Sequence, residues 1–128
     1  MNEVSILLPY PPSVNHYKKV GHLNTTKKGK VYQLRFNSPE TLQYFYRVWL
    51  KVRMEGLKSF QGATISVDVD VYPPDKRKRD LDGILKVLLD AMQKAGLYDD
   101  DYQIARLLVT RKHTIASGEI VVRIREII

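Results

Sequence analysis

Cysteine is absent from this 128-residue chain. That excludes disulfides and any zinc or iron–sulfur centre held by thiolates. Long apolar runs are also absent, so no segment reads as a membrane helix. The first residues, Met1-Asn2-Glu3-Val4, carry no basic stretch leading into an apolar run, so no signal peptide is expected. A cytoplasmic protein with no membrane partner is the expectation. There is no glycine-rich phosphate loop, and the Ser and His residues form no nucleophile pattern. His16, His22 and His113 are too scattered to share a metal by spacing. One segment lacks acids altogether. None occurs from Val4 to Pro39, where Lys18, Lys19, Lys27, Lys28, Lys30 and Arg35 all stand.

What is present is ordinary for a globular chain, with 44% apolar and 27% charged residues. The length predicts one domain over 1–128. The charge is less ordinary. Twenty-one Lys and Arg against 14 Asp and Glu leave a net +7. Such a balance points to a polyanion, usually nucleic acid, or more simply to solubility. The distribution favours a specific use. Seven acids (Asp75, Asp80, Asp82, Asp90, Asp99, Asp100 and Asp101) crowd between positions 75 and 101.

Val4, Ile6 and Leu8 alternate with Ser5 and Leu7, predicting a short strand closed by Pro9 and Pro11-Pro12. Residues 13–37 read as a long basic loop without a period. Ser38-Pro39-Glu40 is a helix start, with Ser as cap, Pro in the first turn and Glu near the positive end of the dipole. Leu42, Phe45, Trp49 and Val52 give that helix an apolar stripe over about 39–55, stopped by Gly56. Ile65, Val67, Val69 and Val71 alternate with polar residues and mark the clearest strand. A second helix is expected from about Asp80 to Ala95, with Leu81, Ile84, Leu85, Leu88 and Met92 inward and Gly96 as breaker. Two strands, 103–111 and 119–126, follow, with Ser117-Gly118 read as the turn of a hairpin between them. The order is β-α-β-α-β-β. It predicts an α+β fold with two helices packed on a mixed sheet of about four strands.

Asp80 and Asp82 open the second helix. They are either helix caps and dipole partners or part of an acidic site beside the bases Lys76, Arg77, Lys78 and Arg79. Asp99-Asp100-Asp101 is either a solvated turn or the rest of that site. The helix between the two groups spans on the order of 20 Å. They meet only if the following loop folds back along it. Carboxylates gathered there would suit a hard Mg²⁺ or Mn²⁺ ion, which takes oxygen ligands. Lys86 shares a helix face with Asp82 and Asp90. It reads as a surface ion-pair ladder or as a charge stabiliser for a reacting phosphate.

Two segments resemble the RusA family. Pro11-Pro12-Ser13-Val14-Asn15-His16-Tyr17 is similar to its N-terminal segment. Arg79-Asp80-Leu81-Asp82, with Lys86, Asp90, Lys94-Ala95-Gly96 and the acidic loop before Gln103, is similar to its central block. The order agrees along nearly the whole chain. The resemblance implies a homodimeric, Mg²⁺-dependent endonuclease acting on four-way DNA junctions (Holliday junctions). It implies Asp80, Asp82 and Asp101 as catalytic metal-binding carboxylates forming one site, with Lys86 as the catalytic lysine. Asp101 rather than Asp100 keeps the two-residue spacing to Gln103. Arg79 is implied as a DNA-binding residue. Lys76, Arg77, Lys78, Asn15, Tyr17, Lys18 and Lys19 join it as expected DNA contacts, and Tyr32 and Phe36 are candidates for stacking on bases. Gly83 stands where the family often has Asn, and the acidic loop carries one aspartate more than the pattern. A non-catalytic or degenerate DNA-binding protein, with the acids acting only as caps, is the competing expectation.

Overall fold

The structure is a computed structural model that describes residues 3–12, 18–24 and 31–127, with side chains described at 3–12 and 37–127. The strands and helices are β1 (Glu3–Pro9), β2 (Lys18–Asn24), β3 (Val31–Asn37), α1 (Pro39–Glu55), β4 (Ile65–Tyr72), α2 (Asp82–Lys94), β5 (Ile104–Arg111) and β6 (Glu119–Glu126). A 3₁₀ turn, Asp101–Gln103, precedes β5. The expected α+β architecture holds: two helices pack on a mixed four-stranded sheet of order β1-β6-β4-β5. Among the described residues no helix is long and apolar enough to cross a membrane.

The pairing corrects one expectation. β5 and β6 do not form a hairpin. β4 lies between them, parallel to β5 and antiparallel to β6. Ser117-Gly118 therefore turns a connection that crosses the end of β4. The physical reason lies in β4 itself. Ile65, Val67, Val69 and Val71 are all buried, and a strand so apolar on one face gains most from a central place. The stretch expected as an unstructured loop also contains strands, since β2 and β3 pair antiparallel as a second, two-stranded sheet. Alternation of Tyr32, Leu34 and Phe36 with Gln33 and Arg35 was the available signal.

Helix α1 begins and ends where its caps predict. The Ser38 hydroxyl accepts from the Thr41 N–H at 3.2 Å, and Gly56 closes the helix at φ 61°. Its buried stripe, however, is Thr41, Tyr44, Phe45, Val48 and Val52 rather than Leu42, Phe45, Trp49 and Val52. Leu42 and Trp49 are exposed. The helix is turned because its amphipathic residues find partners inside. Thr41 bonds to Ser38, and the Tyr44 hydroxyl donates to the Pro9 carbonyl at 2.8 Å. Burial holds the Tyr44 phenol far above its ordinary range. Outside, Trp49 stacks on Tyr46 and carries Arg53 over its ring. In α2 the buried set is Ile84, Val87, Leu88, Ala91 and Met92. Leu81 and Leu85, expected inward, are only half-buried.

The outer face of the sheet is charged. Asp68 pairs with Arg106 at 3.0 Å, and Asp70 with Arg123 at 2.9 Å. The Arg123 hydrogen bond holds the Asp70 carboxyl below its usual range.

Gly118 separates two costs that a side chain can incur. It has φ 73°, and a Cβ there would lie 2.8 Å from Tyr10 Cβ. Gly56 has φ 61° with open space around it. Gly56→Ala is expected to lose about 1 kcal/mol from the left-handed backbone alone. Gly118→Ala should lose roughly 2–4 kcal/mol, because overpacking adds to the same backbone cost. Urea denaturation of both variants checks the difference, and equal losses would contradict it.

Candidate active site

The loop leaving β4 is built around one carboxylate. Pro73-Pro74 ends the strand, and Asp75 then accepts from the Arg77 N–H at 2.9 Å. Arg79 grips the same carboxylate through Nη1 at 2.6 Å and Nη2 at 3.1 Å. The Arg79 bonds, and then those of Arg77, hold the Asp75 carboxyl well below the carboxylate range. Two of the four expected DNA-binding bases are thus ordered locally, while Lys76 and Lys78 are exposed. On the far side, Arg111 donates to the Arg79 carbonyl at 2.5 Å. Arg111 lies opposite Val71 in the β4–β5 register, so it shares the face that α2 covers and can reach this loop.

Asp80 and Asp82 do not act as caps. The residue at the N-cap of α2 is Leu81, in helical conformation, and no side chain caps the helix. The Asp80 backbone carbonyl accepts from the Gly83 N–H at 3.2 Å. Both carboxylates are exposed, at the positive end of the α2 dipole. The cap reading of the sequence is therefore not realised here.

One turn further along α2, Lys86 points away from Asp82. Its Nζ donates to Asp90 Oδ1 at 3.3 Å. Half of the expected Asp82–Lys86–Asp90 ladder has formed. Burial, and then the charge of Asp101, push the Asp90 carboxyl up from its ordinary value.

The acidic loop separates two adjacent aspartates by role. Asp100 caps the 3₁₀ turn, with its Oδ1 accepting from the Tyr102 N–H at 2.9 Å. The exposed Asp101 lies outside that cap; its charge adds to burial in raising Asp90, and burial, then the same charge, raises the Tyr98 phenol beyond the helix. Tyr98 is buried and donates to the Leu89 carbonyl at 2.6 Å, fastening the loop to the helix. Gln103 is the principal pin. Its Oε1 accepts from the Asp99 and Asp100 N–H groups at 2.8 and 3.1 Å. Its Nε2 donates to the Phe60 and Ala63 carbonyls at 2.6 and 2.8 Å.

The two acid groups do not meet within one chain. Asp80 follows the end of β4, whereas Asp101 precedes Ile104, which pairs with Ile65 at the start of β4. The charge of Asp101 is felt at Asp90, which lies about 12 Å along the helix axis from Asp82. Among the described residues, no three His, Asp or Glu side chains lie close enough together to hold a metal ion. The donors are of the kind a hard divalent cation takes, but a single chain does not gather them. Of the other expected contacts, Asn15 and Tyr17 lie outside the described residues. Lys18 and Lys19 belong to β2, and their side chains, like those of Tyr32 and Phe36, lie outside them too.

Sequence reasoning missed Asp75, Arg111 and the clamping role of Gln103. The one available signal was Arg111 at the end of an apolar strand. Gln103→Ala removes four hydrogen bonds around the acidic loop. It should lower stability by roughly 2–6 kcal/mol, since each of the four bonds contributes about 0.5–1.5. Thermal or urea unfolding measures this, and an unchanged midpoint would refute the clamp.

Comparison with known proteins identifies the family. The family model described as "Endodeoxyribonuclease RusA" matches residues 9–125. The "Crossover junction endodeoxyribonuclease rusA" of Enterobacteria phage HK97 is 34% identical over 127 residues, 99% of this chain and 98% of that protein. The protein of the same name from Enterobacteria phage 82 is 29% identical over 131 residues, 98% of this chain and 97% of its own length. The corresponding protein of Escherichia coli strain K12 is 27% identical over 128 residues, again 98% of this chain and 97% of the relative. With the family model spanning nearly the whole length, this chain belongs to the RusA family.

Proposed function

We propose that this protein is an endodeoxyribonuclease that resolves four-way DNA junctions by paired, symmetric nicks, working as a homodimer with Mg²⁺, for which Mn²⁺ can substitute. The observation that carries the reading is the family match over residues 9–125. Exposed, uncapped carboxylates at Asp80 and Asp82, beside a preorganised basic loop, support it.

Each group has a part in this reading. Arg79, with Lys76, Arg77 and Lys78, holds the phosphate backbone against the acidic site. Asp80, Asp82 and Asp101 hold the cation. When bound, the cation supplies Lewis acidity at the scissile phosphate and a more acidic water. Lys86 stabilises negative charge on the reacting phosphate. A C₂ dimer presents two identical sites, which suits two matched cuts in a junction of approximate two-fold symmetry. It also offers a way to gather the carboxylates. Because one chain keeps Asp101 from Asp82, the site is completed by Asp101 of a second copy.

Two variants test both levels. Asp82→Asn is expected to cut a mobile-core junction at least about 100-fold more slowly, a loss of roughly 2.7 kcal/mol. Its junction binding without divalent metal should survive or strengthen. Cleavage at the wild-type rate would sink the metal assignment and favour the pure DNA binder. Asp101→Asn alone should be equally slow. Mixing the two variants, however, rebuilds one intact site per mixed dimer, so single nicks should return. If the mixture stays inactive, the shared site is wrong.

A further inference from the structure

The cleft beside Asp80 contains chemistry that the carboxylates do not use. It encloses about 240 Å³ between the end of β4, the loop 73–81 and the residues that follow β5. Its lining combines Tyr10, Leu81 and Ile84 with a basic rim that includes Arg79, Arg111 and Lys112. Five cations line it against two carboxylates, Asp75 and Asp80. A concavity with that excess of positive charge favours an anion. It is smaller than the roughly 300–1,000 Å³ of pockets for drug-sized ligands, which fits a single phosphate with its sugar.

The rim is ordered before any ligand arrives. Asp75 fixes the Arg79 guanidinium through two hydrogen bonds, 2.6 and 3.1 Å long. Arg111 is anchored by one Nη on the Arg79 carbonyl, and a guanidinium has further N–H groups to donate. The Lys112 backbone N–H is bonded to the Val71 carbonyl at 2.8 Å, which holds that residue at the mouth of the cleft. Its side chain is exposed and makes no salt bridge among the described residues, although its charge is felt at Asp70. Preorganised donors lose little freedom on binding.

We propose that Arg111 and Lys112, together with Arg79, form a phosphate subsite. It takes one backbone phosphate of the DNA strand next to the phosphate that is cut. The proposal rests on the nuclease reading above and adds two residues on β5 and just beyond it. The subsite would set the register of the strand across Asp80 without reading its bases.

Salt dependence of binding tests this directly. Junction binding is measured in EDTA over a series of salt concentrations, for wild type, Arg111→Gln/Lys112→Gln and Lys112→Gln. Losing one phosphate contact lowers the slope of log K against log salt by about 0.9. The double variant should show that loss, with a Kd several-fold higher and equally so on junctions of different core sequence. Lys112→Gln should move in the same direction by less, and Lys112→Arg should restore the slope. The single variant leaves the Arg111 anchor intact, so it carries the test if the double variant melts early. Wild-type slopes in both variants would overturn the subsite. If the wild-type chain neither binds nor cuts the junction, the nuclease reading falls instead. If it does both while the variants match its slope, only the subsite is lost.

Discussion

Parallel pairing of β4 with β5 governs where the acids on either side of α2 stand. Two parallel strands cannot be joined by a tight turn, so the chain must travel back along the sheet before it can start the second strand. Helix α2 makes that journey. Its 13 residues cover about 20 Å, most of the roughly 26 Å of an eight-residue strand. The acids that precede the helix are therefore delivered to one end of the β4–β5 pair, and those that follow it to the other. No rearrangement of side chains undoes this, because the separation is set by backbone hydrogen bonds. An antiparallel connection would have placed both groups on a single edge.

The same topology sorts the positive charge. Arg106 and Arg123 lie on the outer face of the sheet, where they are neutralised by Asp68 and Asp70. Arg79 and Arg111 lie at the end where α2 begins, where hydrogen bonds hold them in place. A paired arginine on the sheet stabilises strand packing and offers little field to a ligand. At the loop, Asp75 serves a different purpose. It is outnumbered by the bases around it, so it shapes them without cancelling them. Among the described residues, pairing on the sheet thus leaves the excess of bases at the end where α2 begins.

Local rules were legible wherever one residue type decides the outcome. Ser38, Pro39 and Gly56 fixed both ends of α1 because caps act within a few residues. The alternation in β4 announced a strand because one of its faces is wholly apolar. The rotation of α1 was not legible, since Thr41 and Tyr44 are buried only because Ser38 and Pro9 supply partners, one of them 35 residues away in sequence. The place of β4 between β5 and β6 was equally hidden. Ser117-Gly118 looks like a hairpin turn, and strand neighbours depend on the whole sheet. For the site, the residue types and their order could be read. Which carboxylates face each other could not, because that depends on a crossover.

The clamp at Gln103 counts residues backwards from the strand that follows it. Asp100 and Asp101 owe their different surroundings to their distance from Gln103, whereas Asp99 gives the clamp only its backbone N–H. A loop anchored at its downstream end can gain or lose a residue upstream while the next two keep their places. If Asp99 were deleted, Tyr98 would sit directly before the capping residue, and the change in length would be taken up between helix and turn. Over many generations such a loop can drift in length while Asp101 stays in register, which three identical neighbours make easier still.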